Sequence, residues 1–256
     1  MLRVLLFWLV FSPFATASDT VTIAVASNFH ATANRVAERF TAETGVAVRL
    51  SAGSTGKLYA QILNGAPYDA FLAADVDRPQ KLINNRQAVG NSLFVYAVGE
   101  LMLWSIDERF GASNCAEALI AGDFSHLAIA NPQTAPYGMA AREYLLQIGA
   151  WKNVRDKIVY GENISQAFSF VATGNADLGL VAASQIVANS DVSTTCAQRI
   201  NGPGAPRIEQ AAVLLSRAET NDSAIAFLDY LQSAEIKAML VREGYALAGS
   251  NLSGRN

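Results

Sequence analysis

"VAVRLSAGSTGKLYAQILNG", residues 46–65, decides how this chain is read. Residues 46–52 form a short strand-like run, and residues 55–65 read as a helix that closes on Gly65. Between them lies "GSTG", Gly53 to Gly56, followed by Lys57. Small residues, a second glycine and a lysine suggest a nucleotide phosphate loop, whose pattern is G-x-x-x-x-G-K-[ST]. Counting back from Gly56-Lys57, the first glycine position holds Ser51. The hydroxyl that would hold magnesium is replaced by Leu58. Both requirements fail, so the segment is a strand-to-helix turn of another kind. Lys57 is read as a solvated residue of the first helical turn.

The same strand-then-helix unit recurs on both sides. "VTIAVA" (21–26) leads into "SNFHATANRVAERFTAETG" (27–45), with Ala33, Val36, Ala37 and Phe40 at helical spacing and Gly45 at the close. "AFLAAD" (70–75) is a strand. "DRPQKLINN" (77–85) is a helix, with Asp77 as its cap and Pro79 in its first turn. A second series follows: strand "HLAIANP" (126–132), helix "YGMAAREYLLQIG" (137–149), strand "DKIVYG" (156–161), helix "NISQAFSFVATG" (163–174), strand "LGLVAA" (178–183) and helical "SQIVANS" (184–190).

Strands alternating with helices predict a parallel α/β architecture. The apolar runs "NSLFVYAVGELMLWS" (91–105), one bent strand or two consecutive ones, and "QAAVLLS" (210–216) are read as paired crossing strands between the two series. The helical tail "DSAIAFLDYLQSAEIKAMLVREG" (222–244) returns to the first series. The fold class is α/β with two lobes, each a mainly parallel sheet flanked by helices, joined by two crossing hinge strands. Residues 18–97 with 211–256 are expected to form lobe I and residues 98–210 lobe II. A ligand cleft belongs between them, at the carboxyl ends of the strands.

Residues 1–17 are set apart as a signal peptide. Arg3 precedes the apolar stretch Leu5 to Phe11, Pro13 breaks it, and Ala15-Thr16-Ala17 offers small residues for cleavage. The apolar run is too short to span a bilayer. The chain of 256 residues carries a formal charge of −3, and losing Arg3 makes it one unit more negative. The absence of any run of like charge argues against nucleic acid or an anionic membrane as partner. Cys115 and Cys196 enter an oxidising compartment, where a disulfide between them and two separate thiols both fit the sequence.

Four junctions carry the candidate chemistry: "ASNF" (26–29), "GSTG" (53–56), "APYG" (135–138) and "ENIS" (162–165). Each places small, polar or glycine residues at a helix start, where unpaired N–H groups and partial positive charge favour anions. Plain N-capping accounts for any one of them. Four together, two in each series, point to binding. None contains arginine, and only Lys57 brings a formal positive charge. A site of N–H and hydroxyl donors suits a fully ionised tetrahedral oxyanion, because a protonated one also needs an acceptor. Enzymatic readings find little support. His30 and His126 stand outside any catalytic motif, no G-x-S-x-G elbow surrounds Ser27, and no His/Cys/Asp/Glu set has metal-ligand spacing.

At these junctions the chain resembles the periplasmic molybdate-binding component of ABC importers, over nearly all of its mature length. "NGAPYDAFLAAD" (64–75) and "NPQTAPYG" (131–138) are the most specific stretches, with "VASNF" (25–29) and "GENISQAF" (161–168) beside them. The resemblance implies a two-lobed binding protein that holds one molybdate or tungstate without a compensating positive side chain. It implies no cofactor and no metal-ion ligand from the protein, a monomer in the periplasm, and an inner-membrane ABC permease with its ATPase as partner. Carried over by position, the oxyanion site consists of Ser27, Asn28, Thr55 with Ser54 as the alternative, Tyr137, and the backbone N–H of Ile164. Another branch of the family places a binding tyrosine in the segment matching "GLVAASQ" (179–185). Ala182 stands there in this chain, and Tyr137 is expected to supply the hydroxyl instead. Sulfate or another tetrahedral oxyanion is the alternative ligand, since donor type alone does not separate the two.

Overall fold

The structure is a computed structural model and describes residues 20–111, 114–202 and 204–249. The signal peptide read from residues 1–17 lies outside the described residues. Among the described residues, ten strands form two five-stranded sheets.

The first sheet contains β1 (Thr20–Ala26), β2 (Ala47–Gly53), β3 (Ala70–Leu72), β4 (Phe94–Gly99) and β10 (Ile208–Leu214), in the order β2-β1-β3-β10-β4. The second contains β5 (Leu101–Ser105), β6 (Leu127–Ala130), β7 (Ile158–Gly161), β8 (Leu178–Ala182) and β9 (Cys196–Arg199), in the order β7-β6-β8-β5-β9. In each sheet three neighbouring strands run parallel: β2, β1 and β3 in one, β7, β6 and β8 in the other. The antiparallel pairings come from β10, β5, β4 and β9. The sheets are therefore mixed, parallel where helices cross over and antiparallel at the connections between them.

The apolar run around Tyr96 is two consecutive strands. Glu100 alone separates β4 in one sheet from β5 in the other. The return passes from β9 to β10, and β10 lies antiparallel to β4 with Ile208 opposite Gly99 and an irregularity between Gln210 and Ala211.

The helices cover both faces of each sheet because their apolar stripes match the spacing read from sequence. On the first sheet, α1 (His30–Thr44) packs with α9 (Asp222–Leu231) and α10 (Ala234–Arg242). Phe40 meets Phe227 edge to face at 5.3 Å. Helices α2 (Thr55–Leu63) and α3 (Asp77–Asn84) cover the opposite face with Leu58, Ile62 and Leu82. The second sheet buries Leu145 from α5 (Pro136–Gln147) and Val171 from α7 (Ile164–Ala172) around Leu127, Leu178 and Leu180. The helical "SQIVANS" is α8 (Ala183–Ala188).

One capping expectation needs correction. Asp77 is the first residue of α3 and pairs with Lys81, while the Asp75 carboxylate accepts the Arg78 N–H at 3.0 Å. Asp75 sits just outside the helix, where its oxygen can reach a free N–H. Three elements had no counterpart in the sequence reading: α4 (Cys115–Ala121), α6 (Trp151–Val154) and β9. All are too short to show a period. Cys115 and Cys196 form a disulfide that ties α4 to β9.

Candidate oxyanion site

The parallel strands of both sheets aim their carboxyl ends at one place. At the end of β1 the chain makes a tight turn through Ser27, Asn28 and Phe29 before α1 begins. After β2, Ser54 is extended and Thr55 opens α2. After β6, Ala135 is extended and Pro136 occupies the first helical position of α5, which suits its fixed φ and missing N–H. After β7, the Asn163 side chain accepts the N–H groups of Ser165 and Gln166 and fixes the start of α7. This leaves the Ile164 N–H free of that cap.

All six residues expected from sequence line a single chamber of about 10 Å³, together with Ala26, Gly53, Ala74, Ala135 and Pro136. That is space for about one water-sized body. Asn28, Ser54, Thr55, Tyr137 and Ile164 are buried, and Ser27 is half-buried. Among the described residues, no charged side chain lines the chamber. Ala74, which follows β3, joins it as a third contributor from the first sheet. Nothing in an alanine marks such a role in sequence.

The hydroxyls differ in their engagements. Thr55 Oγ1 accepts the Ala74 N–H at 3.1 Å, which fixes its rotamer and leaves its proton to donate. Ser54 Oγ is buried with no hydrogen-bond partner among the described residues, and so is Tyr137 Oη. Burial pushes the Tyr137 pKa well above its ordinary value, with the nearby Tyr245 hydroxyl adding to the shift. It therefore keeps its proton at physiological pH and remains a donor. Asn28 Nδ2 donates to Gln210 Oε1 at 2.8 Å, and the Asn28 carbonyl accepts the Tyr245 hydroxyl at 3.0 Å.

The two lobes touch across the chamber. Gly56 N–H, in the first turn of α2, donates to the Thr134 carbonyl before α5 at 2.8 Å. Ser165 Oγ, on α7, donates to the Ser27 carbonyl at 3.1 Å. Lys57 forms an ion pair with Glu162, with both side chains about half exposed. Lys57 is exposed in the first turn of α2, as expected, but it has a partner across the gap. Its partner lies 105 positions away and becomes visible only once the sheets are assembled.

Among the described residues no cluster of three or more His, Cys, Asp or Glu could hold a metal ion, and no helix is long and apolar enough to cross a membrane. His30 lies beside Asn34 on α1, and the His126 backbone N–H donates to Asp177. Neither histidine lines the chamber.

The model of the bacterial extracellular solute-binding protein family matches residues 21–246. The chain belongs to that family. It is a solute-binding protein and not an enzyme. It is 40% identical over 233 residues to the molybdate-binding protein ModA of Azotobacter vinelandii, covering 91% of this chain and 92% of that one. It is also 40% identical over 230 residues to ModA of Rhodobacter capsulatus, covering 90% and 89%. The solved periplasmic molybdate-binding protein of Azotobacter vinelandii superimposes with a TM-score of 0.79 at 34% identity, over 89% of this chain and 99% of that one. The sulfate-binding protein SubI of Mycobacterium tuberculosis superimposes with a TM-score of 0.73 at 12% identity, over 90% of this chain and 88% of that one, a likeness of fold alone.

Proposed function

We propose that the chain captures molybdate or tungstate in the periplasm and delivers it to an inner-membrane permease driven by an ATPase. The observation that carries this reading is the chamber itself. Residues from four helix starts, two per sheet, converge on a buried space that offers N–H and O–H donors and no formal charge. Ser54 Oγ and Tyr137 Oη have no protein partner there among the described residues, a cost that a bound anion would remove. The names of the Azotobacter and Rhodobacter relatives support the same ligand.

Ser27, Asn28, Ser54, Thr55, Tyr137 and Ile164 hold the oxyanion. Ser54 and Thr55 both serve, since one hydroxyl is unengaged and the other has only its proton left to give. A tetrahedral oxyanion is larger than the closed chamber, so the ligand sets how far the lobes come together. Closure is a population shift driven by contacts from both sides. The first sheet with its helices forms one moving lobe and the second sheet with its helices the other, so the expected boundaries after residue 97 and before residue 211 shift to Glu100 and Ile208, which keeps β4 and β10 whole. The chain is exported by residues 1–17, works as a monomer, and needs no cofactor besides its cargo.

A thermal-shift panel with molybdate, tungstate, sulfate, phosphate and chromate tests the reading. Molybdate and tungstate should each stabilise by about 2.7 kcal/mol at a hundred times their dissociation constant. Stabilisation by sulfate alone would overturn the ligand assignment. Tyr137→Phe should weaken molybdate binding by about 1–2 kcal/mol, the worth of one buried hydrogen bond. Calorimetry showing unchanged affinity would remove Tyr137 from the site.

A further inference from the structure

We propose that Gln210, on hinge strand β10, is a positioning residue that holds the Tyr137 hydroxyl as a donor toward the ligand and so sets the preference for oxyanions that carry no proton. This rests on the oxyanion reading above. In the sequence Gln210 merely opens an apolar run, yet it is fully buried. Its Oε1 accepts Asn28 Nδ2 at 2.8 Å and lies 3.2 Å from the Tyr96 hydroxyl, which also reaches the Ala73 carbonyl at 3.2 Å. Asn28 takes one lone pair of that oxygen, and the single Tyr96 proton is shared between it and the Ala73 carbonyl. What remains is Nε2, buried with no hydrogen-bond partner among the described residues.

Tyr137 reaches the same spot from the other lobe. A Cβ built on Gly99 would collide with Tyr137 Oη and lie 2.9 Å from Gln210 Nε2. The glycine on β4 thus opens the gap in which the two unsatisfied polar atoms converge. The two atoms lie near each other without a hydrogen bond between them; a small approach lets the amide N–H occupy a lone pair of the phenol oxygen and turns the phenol proton elsewhere. The chamber that Tyr137 lines is where that proton is useful. The relay then runs from Gln210 N–H to Tyr137 O–H to the oxyanion, with every group donating in one direction. A protonated oxyanion such as hydrogen phosphate needs an acceptor, and this relay offers none. Were the amide turned the other way, its carbonyl would take the Tyr137 proton and the ligand would face a lone pair.

The test is calorimetry with molybdate and with phosphate on wild type, Gln210→Glu, Gln210→Met, Tyr137→Phe and the double variant Gln210→Met/Tyr137→Phe. Gln210→Glu keeps an acceptor for Asn28 and Tyr96 but presents one to Tyr137 as well, which reverses the relay. The molybdate-to-phosphate affinity ratio should fall at least about tenfold in this variant. A lower affinity for both ligands with an unchanged ratio would reduce Gln210 to a structural role and overturn the inference. If Gln210→Glu fails to fold, the double-mutant cycle decides. Gln210→Met should cost about tenfold more molybdate affinity in the wild-type background than in the Tyr137→Phe background. Equal losses in both backgrounds would overturn coupling through Tyr137 while leaving the functional reading intact. A wild type that binds no tetrahedral oxyanion would overturn that reading and this inference with it.

Discussion

Replacing Gly56 with alanine is expected to hold the lobes apart and to cut molybdate affinity by about 5- to 150-fold, roughly 1–3 kcal/mol. Gly56 lies in the first turn of α2, where its N–H reaches across to the Thr134 carbonyl at 2.8 Å. A Cβ at this position would come within 2.8 Å of that carbonyl oxygen and 3.0 Å of Thr134 Cα. Both are backbone atoms, which cannot swing aside as a side chain could. The Arg78 guanidinium, at 3.3 Å from the same point, narrows the space further. The clash is with the opposite lobe, so it exists only in the closed form. Alanine is also a better helix residue than glycine, so the open form should lose nothing. The substitution therefore taxes closure without taxing folding.

Two measurements separate those effects. The melting temperature of the unliganded variant should match wild type or rise slightly. X-ray scattering with molybdate should show a chain that stays expanded where wild type compacts. Affinity within about twofold of wild type, together with normal compaction, would show that the lobes need not approach this closely to bind. The Lys57–Glu162 pair crosses the same gap, but both partners are about half exposed and screened by solvent. Its loss should matter far less than one added methyl group.

This contrast shows what a sequence can and cannot reveal about such a site. The four helix starts were legible because local chemistry marks them: Ser27, Asn28, Ser54 and Thr55 are small and polar, Pro136 presets a first helical turn, and Asn163 is a good cap. Strand-helix alternation placed them at the same ends of their sheets, and convergence followed. Whatever depends on the approach of one lobe to the other left no local trace. The partner of the exposed Lys57 left no sign because Glu162 is remote in sequence. Gln210 was hidden in an apolar strand, although a lone amide within such a run is a signal that a buried polar network exists. Ala74 contributes by position, which no side-chain pattern records. The four-residue strand β9 lacks an apolar run because it exposes residues at its centre and, among the described residues, pairs only with β5. Ser54 and Thr55 differ in how much of each hydroxyl is left for a ligand. Thr55 is tied to Ala74 through its lone pair, and Ser54 Oγ has no partner among the described residues.

Removing the disulfide should produce the second large effect, on stability rather than binding. Cys115 begins α4 and Cys196 begins β9, and both are buried. Their separation of 81 residues spans β6, β7 and β8 with α5, α6, α7 and α8, which is most of the second sheet and its cover. Cross-linking a loop of that length removes unfolded-chain entropy worth about 4–5 kcal/mol. The bond also has a local task, since β9 is an edge strand of four residues that, among the described residues, pairs within its sheet with β5 alone. The variant Cys115→Ala/Cys196→Ala should melt roughly 10–20 °C below wild type, given the shift expected per kcal/mol for a chain of this size. Molybdate affinity of the folded variant at ambient temperature should stay within a few-fold of wild type, because none of the six site residues lies on α4 or β9. Reduction of the wild-type protein under mild denaturation should reproduce the lowered melting point. Equal melting of the oxidised, reduced and alanine forms would show that the second sheet holds its edge without the cross-link. A collapse of affinity in a variant that remains folded would place α4 and β9 in the binding step and contradict the division drawn here between stability and capture.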